Sequence, residues 1–273
     1  AVTHAGRDLF DRLAKFYDDH LDEFGLMNWS VEGCEPPGNN GSHSATDADL
    51  DAAMALLMAH ARWGSYLERA TNLINTIRQH ATCERFQLLV LRPGDAWGSC
   101  DESQPETNPS YFSPAYYRAF AAFLPDQADF WNRMVTDTYI LLQINQGTMD
   151  GLVSDWCTHA GQVSRESGYG YEACRVPWRI AMDYAWNGSP QAQGILDQLH
   201  QARLGVRSDS NSCFLGGDAL TSIIYSQAAF DAAVRAWLDA WLDDTLYYPA
   251  TLRNLYMLLA AGAIMPPGCH GSR

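Results

Sequence analysis

Apolar residues recur at helical spacing along most of the chain. In the first such segment, residues 6–20, the apolar positions that share one face are Leu9, Phe10, Leu13 and Phe16. This pattern predicts an amphipathic helix with that face turned inward. Similar segments predict helices over 65–81, 127–145, 174–186, 189–203, 217–224, 227–240 and 250–262. Gly- and Pro-rich loops separate them, which is typical of an all-α domain built from paired helices.

Strand signals are few and short. The clearest is the run from Phe86 to Leu91, which polar residues bound on both sides. A turn, residues 92–98, follows it. No repeat of 20–50 residues is evident, and 273 residues suffice for one full core. We therefore predict a single domain over residues 1–273.

The segment from Ala45 to Gly64 joins an apolar helical face to an acidic start. Thr46 is predicted to cap this helix by accepting backbone N–H bonds. Negative charge at the positive end of the helix dipole then comes from Asp47, Asp49 and Asp51. Two interpretations remain open: an acid-rich cap on a core helix, or a carboxylate aimed into a pocket where it serves chemistry.

The charge narrows the range of partners. A net charge of −14 argues against nucleic acid and anionic membranes, and suits a neutral or cationic substrate. Nine Trp and thirteen Tyr weakly favour a carbohydrate ligand, because aromatic faces stack on sugar rings. No apolar run reaches the length of a membrane span.

Seven cysteines stand at irregular spacings without a Cys-x-x-Cys or His partner pattern, so we predict no zinc site. Their number favours a secreted or periplasmic protein with some disulfides. Cys83 and Cys100 flank the strand and turn, and we predict a bridge between them. Cys174 is predicted to stay reduced.

Residues 45–49, with the apolar run and Trp63 after them, resemble the signature of family 8 glycoside hydrolases, which includes endoglucanases, chitosanases, lichenases and xylanases. Ala52 departs from it, since Ile or Met is usual there. Similar segments extend the resemblance over nearly the whole chain: 92–98, 108–117, 152–157, 169–184 and 247–253. The resemblance implies an (α/α)6 barrel of six inner and six outer helices, whose inner-helix N-termini meet long loops at a cleft.

The resemblance also implies the site. Glu172 stands where the family has an Asp general base, and Asp47 would meet the sugar at the cleavage point. Without the motif, a carboxylate beside Arg175 and Arg179 is usually part of a structural ion pair. With it, these arginines would hold carboxylates or contact the sugar. One branch of the family takes its base from another loop, so the alternative bases are Glu166 and Asp155. The further substrate-binding positions are Trp29, Tyr111, Tyr171 and Tyr248, with packing as the alternative role of Trp29 and Tyr248.

In the family the general acid is a Glu in a Ser-Glu-Gly-x-Gly-Tyr-Gly segment that precedes the helix matching residues 6–20. No such segment occurs here. We therefore expect the sequence to lack both the first inner helix and the acid. The remaining eleven helices would form an open ring. A missing N-terminal segment of the same protein would cover the apolar faces that this ring exposes. Alone, it would hydrolyse unactivated glucan hardly at all. That expectation fails if the acid position is reached by Glu23, Glu32 or Glu35.

The resemblance implies an inverting, endo-acting hydrolase of β-1,4-glucan that needs neither metal nor organic cofactor. Chitosan or xylan remain alternative substrates, and the charge of −14 suits cationic chitosan. A non-catalytic glycan-binding protein is the alternative from a different functional class.

Overall fold

The computed structural model describes residues 2–31, 42–204, 211–240 and 245–268. The α-helices within these residues are α1 (Val2–Asp19), α2 (Thr46–Trp63), α3 (Leu67–His80), α4 (Pro114–Phe123), α5 (Ala128–Thr148), α6 (Val176–Asn187), α7 (Pro190–Arg203), α8 (Ser212–Thr221), α9 (Gln227–Asp239) and α10 (Tyr247–Ala260). Single 3₁₀ turns cover Pro109–Tyr111, Pro125–Gln127, Ala173–Arg175 and Ser222–Ile224. None of the described helices is long and apolar enough to cross a membrane.

The helices form two layers. Successive helices pack as pairs, α2 on α3, α4 on α5, α6 on α7 and α8 on α9, and the even-numbered helices also contact one another in chain order from α2 to α10. The even-numbered helices therefore form the inner layer, and the odd-numbered helices lie outside it. This alternation of inner and outer helices confirms the predicted architecture. The described residues contain ten α-helices, one fewer than the eleven expected.

Helix α1 faces its neighbours differently from the prediction. Leu9, Leu13 and Phe16 are exposed, so their predicted inward orientation is wrong. Phe10 does face inward as predicted, and together with Ala14 and Tyr17 it meets α2 and α3. The Phe10 ring lies 5.7 Å from that of Trp63, and Tyr17 donates a hydrogen bond to Asp49. The buried face of α1 is therefore shifted by one residue from the predicted face. Contacts with these partners determine that face, and the most apolar stripe does not.

The predicted strand is half of a hairpin. β1 (Thr82–Arg85) pairs antiparallel with β2 (Leu88–Leu91) in the register Thr82 to Leu91. Phe86 and Gln87 form the two-residue turn, both with positive φ (53° and 64°), as a type I′ turn requires. The strand therefore begins at Leu88 and not at Phe86. A second short pair joins β3 (Glu106–Thr107) to β4 (Cys157–Thr158).

Two disulfides lie within the described residues. Cys83 and Cys100 are bridged with a Cα–Cα distance of 5.9 Å, which confirms that prediction. Cys174 pairs with Cys213 at a Cα–Cα distance of 5.5 Å, so the prediction that Cys174 stays reduced is wrong. The packing of α8 against the turn that precedes α6 brings the second pair together.

Candidate active site

The start of α2 is fastened to the turn after β2. Ala45 and not Thr46 is the N-cap, and it makes no side-chain cap bond, so the predicted capping role is wrong. The buried Thr46 instead donates its hydroxyl to Arg92 O at 2.8 Å and its backbone N–H to Pro93 O at 3.1 Å. A side chain at Gly94 would collide with Ser44 O, so glycine permits this close approach. The contacts fix the direction in which the first turn of α2 presents Asp47.

The second part of the site is the turn before α6. Asp155 Oδ1 accepts three backbone N–H bonds, from Gly170 (3.0 Å), Glu172 (3.1 Å) and Ala173 (2.8 Å). A Cβ on residue 170 would overlap the Asp155 carboxylate, which explains the glycine there. Because one oxygen of Asp155 is fully used in holding this turn, the geometry favours a positioning role for it over that of a base.

Arg175 joins the two parts. Its Nη1 donates to Asp47 Oδ2 at 2.9 Å, and its Nη2 contacts Glu172 Oε2. The Arg175 side chain is 15% exposed, so this double ion pair is largely shielded from water. One planar guanidinium therefore sets the relative position of two carboxylates that lie 125 residues apart in the sequence.

Two further donors hold Glu172. Asn108 Nδ2 lies 2.9 Å and Ser110 Oγ lies 3.4 Å from the same oxygen, Oε2. The amide oxygen of Asn108 meanwhile accepts from Ser110 N at 3.0 Å and starts the turn Pro109–Tyr111. Neither Asn108 nor Ser110 was predicted from the sequence to have a role in the site. The Asn-Pro-Ser sequence indicates the turn, but not its partner.

A second ion pair lies one helical turn from the first. Arg179 donates to both oxygens of Asp51, at 2.5 and 3.0 Å. Its guanidinium also lies over the rings of Trp178 (4.4 Å) and Tyr116 (5.5 Å). Aspartates four residues apart on α2 thus match arginines four residues apart at the start of α6. The prediction that these arginines hold carboxylates is confirmed, while their contact with sugar stays a prediction.

The charges reinforce one another. Burial raises the pKa of Asp47, and Arg175 and Arg179 oppose that rise. Burial alone would lower the pKa of Arg175, but Glu172 and Asp47 outweigh it and raise the pKa. Arg175 therefore stays cationic between the two carboxylates that it pairs with.

Three tyrosines border this group. The Arg175 guanidinium lies 5.4 Å from the Tyr111 ring centre. Tyr248 donates its hydroxyl to Tyr171 O, and the two rings are 6.3 Å apart. Burial, as the largest cause, raises the pKa of Tyr111 and Tyr248, so both hydroxyls stay protonated and can donate. The Tyr171 side chain is half exposed beside them.

The protein-family model described as glycosyl hydrolases family 8 matches residues 1–238 of the sequence. The chain belongs to this family. Endoglucanase A of Acetivibrio thermocellus is 33% identical over 98% of the chain, and Endoglucanase 2 of Ruminiclostridium josui is 37% identical over 90%. The chain spans 60% and 55% of their respective lengths. The β-1,3-1,4-glucanase of Paenibacillus sp. X4 superposes with a TM-score of 0.79 at 24% identity, covering 93% of this chain and 76% of that one, and so shares the fold.

The structure gathers most of the predicted family 8 site, but not Trp29. Arg175 pairs with Asp47 and Glu172, and its guanidinium lies near the Tyr111 ring. Tyr171 and Tyr248, which contact each other, adjoin this group. Trp29 is 63% exposed and donates its backbone N–H to His43 O at 2.8 Å. No described contact joins it to Asp47 or Glu172, so its sugar-stacking role stays a prediction.

The other candidate carboxylates lie elsewhere. Glu166 and Glu23 are exposed, and no described contact connects either to Arg175. Glu32 and Glu35 lie outside the described residues. Within those residues, the carboxylates that Arg175 holds are Asp47 and Glu172.

Proposed function

We propose that this family 8 chain hydrolyses internal β-1,4 bonds of a glucan with inversion at the anomeric carbon. The observation that carries the proposal is the double ion pair of Arg175, which fixes Asp47 and Glu172 beside three tyrosines. Two relatives that match most of the chain are named endoglucanases, which supports glucan as the substrate class.

Glu172 would act as the general base. The donors at Oε2 fix the carboxylate, and within the described residues no hydrogen bond or ion pair engages Oε1, which can accept a proton from water. An inverting hydrolase needs such a base on the face opposite the leaving group, roughly 6.5–9.5 Å from the acid. Glutamate is one methylene longer than the family's usual aspartate, so we expect the turn at Asp155 to set the water position.

Asp47 would stabilise the transition state. Its carboxylate lies at the start of an inner helix, where it can meet the ring that gains positive charge during cleavage. Arg175 holds this carboxylate at one oxygen, Oδ2, and the backbone N–H of Ala48 donates to the other. We assign protonation of the leaving group to no described residue, because Arg175 holds both carboxylates of the site.

The test compares Glu172→Gln with Glu166→Gln, which makes the same change at an exposed position. Measured in the full-length protein, activity on soluble cellulose and on an aryl β-cello-oligoside should fall about 10²–10⁴-fold for Glu172→Gln and stay unchanged for Glu166→Gln. The aryl substrate is included because its leaving group departs without protonation. Full activity of Glu172→Gln on both substrates would remove Glu172 from the mechanism.

Product stereochemistry gives a second test. Proton NMR early in the reaction should show the α-anomer at the new reducing end if a single displacement acts on a β bond. A β-anomer would mean retention and would overturn the proposed mechanism.

Chitosan is the second candidate substrate, because a net charge of −14 attracts a cationic polymer. Reducing-sugar release should be compared on cellulose, chitosan and xylan at low and high salt. A rate on chitosan that exceeds the rate on cellulose and falls with salt would favour this candidate.

We also propose that the protein works in a secreted or periplasmic setting. Two disulfides within the described residues support this, since such bonds persist in oxidising compartments. Mass spectrometry of protein from its native host should find Cys83 and Cys100 linked. Reduced thiols at both positions would contradict the proposal.

A further inference from the structure

A second polar group lies beneath the first turn of α2, on three separate segments. Asp22 follows α1, His43 precedes α2, and Asp95 lies in the turn after β2. One ligand atom from each of these residues lies within 4.8 Å of the other two. The three segments are thus brought together by their polar side chains.

Each of these three side chains has a buried polar atom without a hydrogen-bond partner in the described part of the chain. Asp22 Oδ1 accepts the backbone N–H groups of residues 24, 25 and 26, and Asp95 Oδ1 accepts that of Ser44. Among the residues that the structure describes, the other oxygen of each, Oδ2, is buried without a hydrogen-bond partner, and so is His43 Nδ1. The Asp95 side chain is fully buried, and its Oδ2 lies 3.5 Å from His43 Nδ1. Buried polar atoms are nearly always satisfied, so three that converge indicate a missing ligand.

Three buried carboxyl groups, those of Asp22, Asp49 and Asp95, share this region. Asp49 is also fully buried, and its Oδ2 has no hydrogen-bond partner among the described residues. Arg92 approaches through Nη2, which donates to the backbone O of Asp95. Within the described residues, however, no lysine or arginine forms an ion pair with Asp22, Asp49 or Asp95. Buried carboxylates are normally paired or bound to a metal.

The donor set selects the kind of ion. One imidazole nitrogen with two carboxylate oxygens suits Zn²⁺ and related first-row cations, whereas Ca²⁺ takes six to eight oxygens. Ligand bonds of about 2.1 Å in a tetrahedron place neighbouring donors about 3.4 Å apart. The 3.5 Å between His43 Nδ1 and Asp95 Oδ2 agrees with that spacing.

We propose that Asp22, His43 and Asp95 bind one divalent cation of the zinc class. The ion joins the loop after α1, the segment that enters α2 and the turn that fastens Thr46. It is a structural ion, separate from the Arg175 site, and the proposal does not depend on the hydrolysis proposed above. The competing occupant is a proton shared between Asp22 and Asp95, since burial and the neighbouring carboxyl raise the pKa of Asp22.

The experiment uses untagged protein that has been treated with a chelator and then titrated with Zn²⁺ alone. Calorimetry and metal analysis should find one ion per chain, and thermal unfolding should shift upward with Zn²⁺. Asp95→Asn and His43→Gln should each weaken binding at least about 10-fold. Asp126→Asn, at an exposed position, removes the same charge as Asp95→Asn and should bind as the wild type does.

His43→Gln guards against a folding artefact, because its side chain is partly exposed and its circular dichroism should match the wild type. Absence of stoichiometric binding by the wild type would overturn the proposal and leave the shared proton as the occupant. Undiminished binding by both variants would equally overturn it, since the ion would then lie elsewhere.

Discussion

Asp47 and Asp49 stand two residues apart in the first turn of α2, yet they face different surroundings. Asp47 pairs with Arg175, whereas Asp49 accepts from Tyr17 Oη at 2.5 Å and Met27 N at 3.2 Å in the interior. Burial raises the pKa of both, but two arginines restrain the rise at Asp47, and the pKa of Asp49 reaches about 7. The groups that surround each carboxylate, and not the acidic segment itself, decide whether it stays charged near neutral pH.

Arg175→Met should have the largest effect, because it leaves both Asp47 and Glu172 without their shared cation. We expect activity to fall at least about 10³-fold. Stability should fall by less than the about 3–5 kcal/mol of a fully buried pair, because the Glu172 side chain is 35% exposed. Arg203→Met is the control, since it breaks another largely buried pair, with Asp218, outside the site. Equal activity losses in the two variants would show a general effect of losing an ion pair.

The pH dependence of stability should separate Asp49 from its neighbour. Its folded pKa of about 7 exceeds the ordinary 3.8, so the folded state holds the proton more tightly. The resulting stabilisation is complete below about pH 4 and is lost as the pH rises towards 7, by roughly 4 kcal/mol at most. Denaturant unfolding of the wild type and of Asp49→Asn, both in chelator, measures this difference. Identical pH profiles would mean that Asp49 does not titrate in this range.

Asp47→Asn should fold normally and lose about 10²–10³-fold in activity, because the charge serves the transition state and not the core. Asp49→Asn is its matched control and should keep most of the activity. An active Asp47→Asn would return Asp47 to the role of a helix-terminal charge. Glucan hydrolysis and circular dichroism of both variants decide the matter.

Tyr248→Phe should have the smallest effect. It removes one hydroxyl that donates to Tyr171 O, which corresponds to about 0.5–1.5 kcal/mol. We expect this loss in KM more than in kcat, because Tyr248 borders the site without contacting the carboxylates. Tyr247→Phe, at the exposed neighbouring position, should change neither constant. A large fall in kcat for Tyr248→Phe would place its hydroxyl in the chemical step.

Most helices follow from the sequence alone, because apolar periodicity depends on contacts between residues three or four positions apart. The helix predicted over 217–224 is an exception, since α8 spans Ser212–Thr221. The family motifs likewise identify Asp47, Glu172 and Arg175 from the sequence. The two ion pairs also match a pattern in the sequence, because the two aspartates on α2 and the two arginines at the start of α6 are each four residues apart.

Only the tertiary structure decided which groups meet. The rotation of α1, the bridge from Cys174 to Cys213 and the donors on Glu172 all depend on segments distant in the chain. Cysteine and histidine spacing predicted no zinc site, yet Asp22, His43 and Asp95 converge from three loops that no local spacing rule connects. Local patterns specify the elements, whereas burial and long-range packing determine which side chains face each other, and that meeting sets their chemistry.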